Sequence, residues 1–241
     1  MNYGLSKYKE NLYSQYGEDG MVKEALESLG VNEGGFFVDV GSWDGIYLSN
    51  VYNLARNKRF KGICIESNRE RFAQLEKNMN LYSVVCVNSM VSLDEKSSLD
   101  YLLNQSKCPD SFDLLSIDID GNDWWIWRSL NREPKVVIIE YNGNHRSSCV
   151  MPYDKNYAHA NTTYYGATPP AMMLLANYKG YDLVGMNQVN MVFVRKNLNV
   201  LPRISIEGYP WFAKWANDTT MQMMRIDEKT DLSAVILKDC P

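Results

Sequence analysis

The chain lacks the features that mark several large classes of protein. No stretch reaches the roughly 18 apolar residues of a membrane span. Its first residues, Met-Asn-Tyr-Gly-Leu-Ser-Lys-Tyr-Lys-Glu, hold no apolar segment, so no secretory signal is expected there. Basic excess is missing too. Lys and Arg number 25 against 29 Asp and Glu, a net charge of −4, which argues against a nucleic-acid partner. The one basic knot, Arg56, Lys58, Arg59 and Lys61, reads as a solvated helix end and loop, with the anchoring of an anionic substrate as the alternative. Five cysteines form no C-x-x-C pair. Reduced thiols in a cytoplasmic protein are therefore expected, rather than disulfides or a zinc site. On that reading the sequons at Asn161 and Asn217 are chance matches. Repeats, low-complexity tracts and linkers are absent, and 241 residues suit one α/β domain with a real core.

Two phosphate-binding signatures are also missing. Residues 36–45 read Phe-Phe-Val-Asp-Val-Gly-Ser-Trp-Asp-Gly, an apolar run driving into a turn. A buried parallel strand followed by a ligand loop looks like this. The glycines are spaced G-x-x-x-G, whereas a dinucleotide turn needs G-x-G-x-x-G and a P-loop ends in Gly-Lys-Ser/Thr. No Lys follows, and Trp43 stands where a pyrophosphate would need bare backbone. The ligand this leaves is a nucleoside without a phosphate tail, of which S-adenosylmethionine is the commonest.

Strand-like and helix-like segments alternate along the chain, the pattern of a parallel sheet with crossover helices. Strands are expected at Phe36–Val40, Gly62–Glu66, Val84–Val87, Asp113–Asp118, Val136–Glu140, Tyr181–Val184 and Met191–Arg195. Helices are expected near 48–57, 68–80, 121–130 and 169–179, with Asn68 as an N-cap and Gly180 as a stop. The last two strands stand too close for a crossover of roughly a dozen residues, so the final strand must return antiparallel. The expected fold is α/β: a Rossmann-like, class I methyltransferase sheet of seven mostly parallel strands with the last antiparallel and helices on both faces. Residues 1–34 would form a helical cap, 35–197 the core and 198–241 an extension packed on it. The long segment 141–168 follows the fifth strand, at the ligand end of such a sheet.

Several residues could carry chemistry. Asp39 is costly inside an apolar strand unless it serves the loop or a ligand; the alternative is an acid that caps its own turn. Glu66 ends the second strand roughly 20 residues past Gly45, where a carboxylate can accept from a ribose diol. Asp118 and Asp120 end the fourth strand two apart, as Glu140 and Asn142 end the fifth, so each pair points to one side. If the strands are neighbours, four oxygen-bearing side chains converge. They could hold Mg²⁺ or another hard divalent cation, or supply a general base for a hydroxyl. The alternative is that Asp118 and Asp120 cap the helix starting near Asn122. The two histidines, His145 and His159, lie in the long segment as candidate bases or plain surface residues. Trp124 and Trp127 share a helical face and are expected in the core. Trp125 points elsewhere, toward a neighbouring element or a partner copy, which leaves a homo-oligomer open.

Read together, Ser14-Gln15-Tyr16-Gly17-Glu18-Asp19-Gly20, Phe37-Val38-Asp39-Val40-Gly41, Trp43-Asp44-Gly45, Leu48-Ser49-Asn50, Gly62-Ile63-Cys64-Ile65-Glu66, Leu115-Ser116-Ile117-Asp118-Ile119-Asp120-Gly121 and Gly180-Tyr181-Asp182-Leu183-Val184 resemble the FkbM-type methyltransferases and their uncharacterised relatives. The similarity keeps the family's order from about residue 12 to 197. It implies S-adenosylmethionine as donor and methylation of a hydroxyl, often on a sugar or natural product. By position it implies Gly41 and Gly45 beside the methionine part, Glu66 on the ribose and Asn88 near the adenine. Gln15, Asp39, Ser42, Ser49, Asn50, Ser67 and Asp118 complete the candidate cofactor set, and Asp118 and Asp120, with Glu140 and His145 in reserve, are the candidate catalytic residues. The family's Asp-x-Glu-Gly stands here with Asp120 in place of Glu, a carboxylate one methylene shorter. A protein that keeps the nucleoside pocket but only binds, as a scaffold or sensor, is the competing expectation. A dehydrogenase is a weaker one, given the missing glycine fingerprint.

Overall fold

The computed structural model describes residues 4–160, 162–207 and 223–233. The sequons at Asn161 and Asn217 lie outside them. A short 3-10 helix, Gly4–Tyr8, precedes α1, Glu18–Ser28. Then come β1 Phe36–Val40, α2 Tyr52–Asn57, β2 Lys61–Glu66, α3 Arg69–Met79, β3 Val84–Asn88 and a one-turn 3-10 helix, Glu95–Ser97. The second half holds α4 Leu99–Gln105, β4 Leu114–Ile117, α5 Asp123–Ser129, β5 Val136–Glu140, β6 Cys149–Val150, α6 Pro169–Lys179, β7 Tyr181–Met186, β8 Asn190–Arg195 and β9 Met224–Arg225.

Seven strands form one sheet in the order β3-β2-β1-β4-β5-β8-β7. Strands β1 to β5 pair in parallel, and β8 runs antiparallel to both neighbours. This is the expected sheet. Its central strands are apolar on both faces because helices cover both. α1, α2 and α3 pack on one side around Phe37, Phe60 and Val192. α4, α5 and α6 pack on the other around Val38, Ile117 and Trp127. Strand order reverses between β1 and β4, so the crevice at their carboxyl ends is the natural ligand position.

Some boundaries differ from expectation for local reasons. α2 starts at Tyr52 because side chains take the preceding backbone: Asp44 accepts from Ile46 and Tyr47, and Ser49 accepts from Val51 and Tyr52. Asp113 falls outside β4, accepting the Phe36 N–H at 2.8 Å and pairing with Lys135 at 2.8 Å. α4, capped by Ser98, and the β6–β9 ribbon were not expected at all. Lys58 and Arg59 of the basic knot pair with Glu27 and Glu33. Trp125 is buried and donates to the Met151 carbonyl at 2.7 Å, so its neighbour is the 141–168 segment. Among the described residues, no helix is long and apolar enough to cross a membrane.

Candidate active site

β1 carries the chain to Gly41 with φ +87°, and an added Cβ there would lie 1.7 Å from the Asp118 carbonyl oxygen. That close approach joins the β1 loop to the end of β4. The Gly41 and Ser42 N–H groups both donate to the Ile65 carbonyl, tying the same loop to β2. Glu66, at the end of β2, accepts from Trp43 N–H at 2.9 Å and Asn68 N–H at 2.7 Å. Each of its oxygens keeps a second lone pair. Asn88 donates to the Glu66 carbonyl at 2.8 Å and so steadies that strand end. Trp43 sits at φ +50° with the Arg71 guanidinium 4.0 Å over its ring.

Two cavities meet at Gly41. The smaller, about 120 Å³, lies over β2 and β3 and is lined by Ser67, Ser89, Asn122 and Tyr157 among others. The larger, about 390 Å³, lies over β1, β4 and β5 and takes in Gln15, Asp39, Ser42, Ser49 and Asn50. Asp118, Asp120 and Glu140 line its far wall, with no Lys, Arg or His on its surface among the described residues. Trp43, Leu48 and Asp120, three non-glycine residues in the left-handed region, all line it as well. Strained backbone of this kind persists where surrounding structure holds it, and it gathers at functional sites.

The electrostatics of the larger cavity are one-sided. Burial pushes the Asp39 carboxyl up, against hydrogen bonds to Ser42 and Ser116 that lower it. Burial raises Asp118 well above the usual carboxylate range, and the charges of Asp123, Asp120, Asp39 and Glu18 add to it. Glu140 is raised well above that range by burial and then by Asp118, Asp123 and Asp120. Its Oε2 is buried without a hydrogen-bond partner. Asp123 is pushed up to about 6 by burial, held down in part by N–H groups of Ile119 and Gly121 at 2.9 and 2.8 Å.

Asp118, Asp123 and Glu140 bring carboxylate oxygens within 4.8 Å of one another. This corrects the expected grouping, because Asp120 and Asn142 do not join it. Asn142 is fully buried with its amide spent on the Thr163 and Tyr165 carbonyls, and its oxygen accepts from Asn144. Asp123 was missed because it reads as an ordinary first-turn acid of α5. It also closes the turn before that helix, the task that the alternative reading gave to Asp118 and Asp120. His145 contacts the Thr163 carbonyl at 3.2 Å, and His159 packs edge-on against Tyr165. Neither histidine lines either cavity. Gly45 lies behind the loop against Leu75 and Met79, and Ser49 spends its hydroxyl on the start of α2.

No family model matches the chain, and no curated protein matches it. Solved structures do. A SAM dependent methyltransferase from Aquifex aeolicus is 16% identical over 71% of this chain and 86% of its own, with a TM-score of 0.43. A TehB-like SAM-dependent methyltransferase from Corynebacterium glutamicum is 12% identical over 80% and 92%, with a TM-score of 0.42. A S-adenosylmethionine-dependent methyltransferase from Clostridium acetobutylicum is 9% identical over 74% and 90%, with a TM-score of 0.45. All three TM-scores lie below 0.5. The strand order and the reversed β8 give this chain the Rossmann-like sheet of the class I methyltransferases.

Proposed function

We propose that the chain is an S-adenosylmethionine-dependent methyltransferase acting on a hydroxyl of a sugar or small natural product. The observation that carries this reading is the pair of cavities meeting at Gly41, where the sheet order reverses. The smaller one, beside the acid at the end of β2, suits the base of a nucleoside. The larger one suits an amino-acid tail and an acceptor. Gly41 lines both of them. When bound, the cofactor supplies a methyl group on a sulfonium, ready for in-line displacement.

The acceptor oxygen must lose its proton. Asp118 and Glu140, whose carboxyls burial and the neighbouring acids raise, are the candidate acceptors of that proton. A hard divalent cation such as Mg²⁺ fits the donor set of Asp118, Asp123 and Glu140, and Glu140 Oε2 is otherwise without a partner. Bound there, the cation would make a nearby hydroxyl more acidic. The FkbM-type branch and a cytoplasmic setting belong to the same proposal. The ordered motifs from Ser14 to Val184 support the first, and the buried free thiols of Cys64, Cys108 and Cys149 the second.

Calorimetry with S-adenosylmethionine tests the donor, and release of S-adenosylhomocysteine across a panel of sugars and hydroxylated natural products tests the reaction. Asp118→Asn is expected to lower turnover about 100-fold or more while cofactor affinity stays within about twofold. Full activity in that variant would show the mechanism to be wrong.

A further inference from the structure

The segment before α1 is held in an unusual way. Six consecutive backbone N–H groups, residues 12–17, donate to side chains. Asp19 Oδ2 takes those of Leu12, Tyr13 and Ser14 at 2.8, 2.8 and 2.9 Å. Glu18 Oε2 takes those of Gln15 and Tyr16 at 3.2 and 2.6 Å, and Asn11 takes that of Gly17. Two neighbouring carboxylates thus shape a stretch that no strand or helix supports.

Glu18 does more than its neighbour. It is fully buried, and its Oε1 accepts from the Asn187 and Asn190 amides at 2.6 and 3.1 Å. Asn187 closes the β7–β8 turn by accepting the Val189 and Asn190 N–H groups. Val189 lines the larger cavity, and Asn190 stands opposite Glu140 in the β5–β8 register. One carboxylate therefore joins the wall that carries Gln15 to the wall that carries Val189 and Glu140. No Lys or Arg forms a salt bridge with it among the described residues, so amide donors, helped by the more distant charge of Lys9, offset its burial.

We propose that Glu18 is a positioning residue for the larger cavity: it sets Gln15 against the cofactor and locks that wall to the β7–β8 turn. The cofactor half of this inference rests on the S-adenosylmethionine reading above. A carboxylate suits the task because it accepts on both sides at once, whereas a glutamine accepts on one side only. The acid in Ser-Gln-Tyr-Gly-Glu-Asp then has a reason to stand three residues after the glutamine it holds.

The test has two arms. In ligand-free protein, Glu18→Gln is expected to speed amide exchange at Gln15 and Tyr16 about tenfold or more, while Leu12, Tyr13 and Ser14, held by Asp19, keep their protection. In the second arm, Gln15→Ala and Glu18→Gln each weaken S-adenosylhomocysteine binding about fivefold, the loss of roughly one hydrogen bond. The double variant is expected to be no weaker than either single one. A merely structural Glu18 would lower the melting temperature but leave the two losses additive. Unchanged exchange at Gln15 and Tyr16, unchanged affinity in Gln15→Ala, or additive losses would each overturn the proposal. Should the wild type bind no S-adenosylhomocysteine, the cofactor reading falls and Gln15's role with it, while the exchange arm still decides whether Glu18 holds the wall. If Glu18→Gln does not fold, Asn187→Ala removes one donor from Oε1, and the same two measurements apply with smaller changes expected.

Discussion

Gly41 is the residue at which the site tolerates change least. Its φ of +87° already disfavours any side chain, and a Cβ would overlap the Asp118 carbonyl, which is backbone and cannot swing aside. Gly41→Ala is expected to destabilise the fold by about 3 kcal/mol, measured as a drop in the urea midpoint. A midpoint within error of wild type would mean that the β1 and β4 loops are not locked together as described. At this scale the sequence exposes glycines and acids at the ends of apolar runs, which is why Gly41, Glu66, Asp118 and Glu140 could be picked out. It conceals which polar groups are already spent. Asn142 looks like a ligand by spacing but its amide is consumed by the Thr163 and Tyr165 carbonyls. Asp123 looks like a helix acid but faces Asp118 and Glu140.

Elements were legible in proportion to their length and to how locally they are specified. β1, β2, β4 and β5 are apolar runs long enough to read as buried strands. α3 announces itself through Asn68, whose side chain accepts from Glu70 and Arg71 at 2.9 and 3.1 Å. Asn68→Ala is expected to cost about 1 kcal/mol, a fall of roughly 2–4 °C in melting temperature for a chain of this size. A loss below a few tenths of a kcal/mol would mean that the cap is dispensable. α4, Leu99–Gln105, is as long as α5 but lacks the three tryptophans within four residues that mark α5's buried face, and so went unread. The β6–β9 ribbon went unread because two-residue strands carry no period, and their pairing joins segments far apart in the chain. α2 was read too long because turn hydrogen bonds from Asp44 and Ser49 consume the residues before it, a competition that helical periodicity does not reveal.

For the whole molecule, the acids gathered at the carboxyl ends of β4 and β5 tie stability to pH. Asp123 is raised to about 6 and Asp118 and Glu140 are raised well above their ordinary values, so the folded chain holds these protons more tightly than the unfolded one. Unfolded carboxylates titrate near 4. The stability this cluster contributes is therefore full below about pH 4 and lost as the pH rises through about 6 and beyond. Glu140→Gln isolates the effect, since glutamine resembles the protonated acid at every pH. The variant is expected to melt within error of wild type at pH 4. At pH 8 it should melt about 2–4 °C higher, the shift that relief of roughly 1 kcal/mol of like-charge repulsion gives in a chain of this size. Millimolar Mg²⁺ would offset the same repulsion from outside. Wild type is then expected to gain melting temperature with Mg²⁺ at pH 8, gain little at pH 5, and lose most of the gain on Glu140→Gln. A chain whose melting curves with and without Mg²⁺ coincide at pH 8, but which still separates from Glu140→Gln there, would carry its acids as a proton store. The base reading of Asp118 would then stand without the cation.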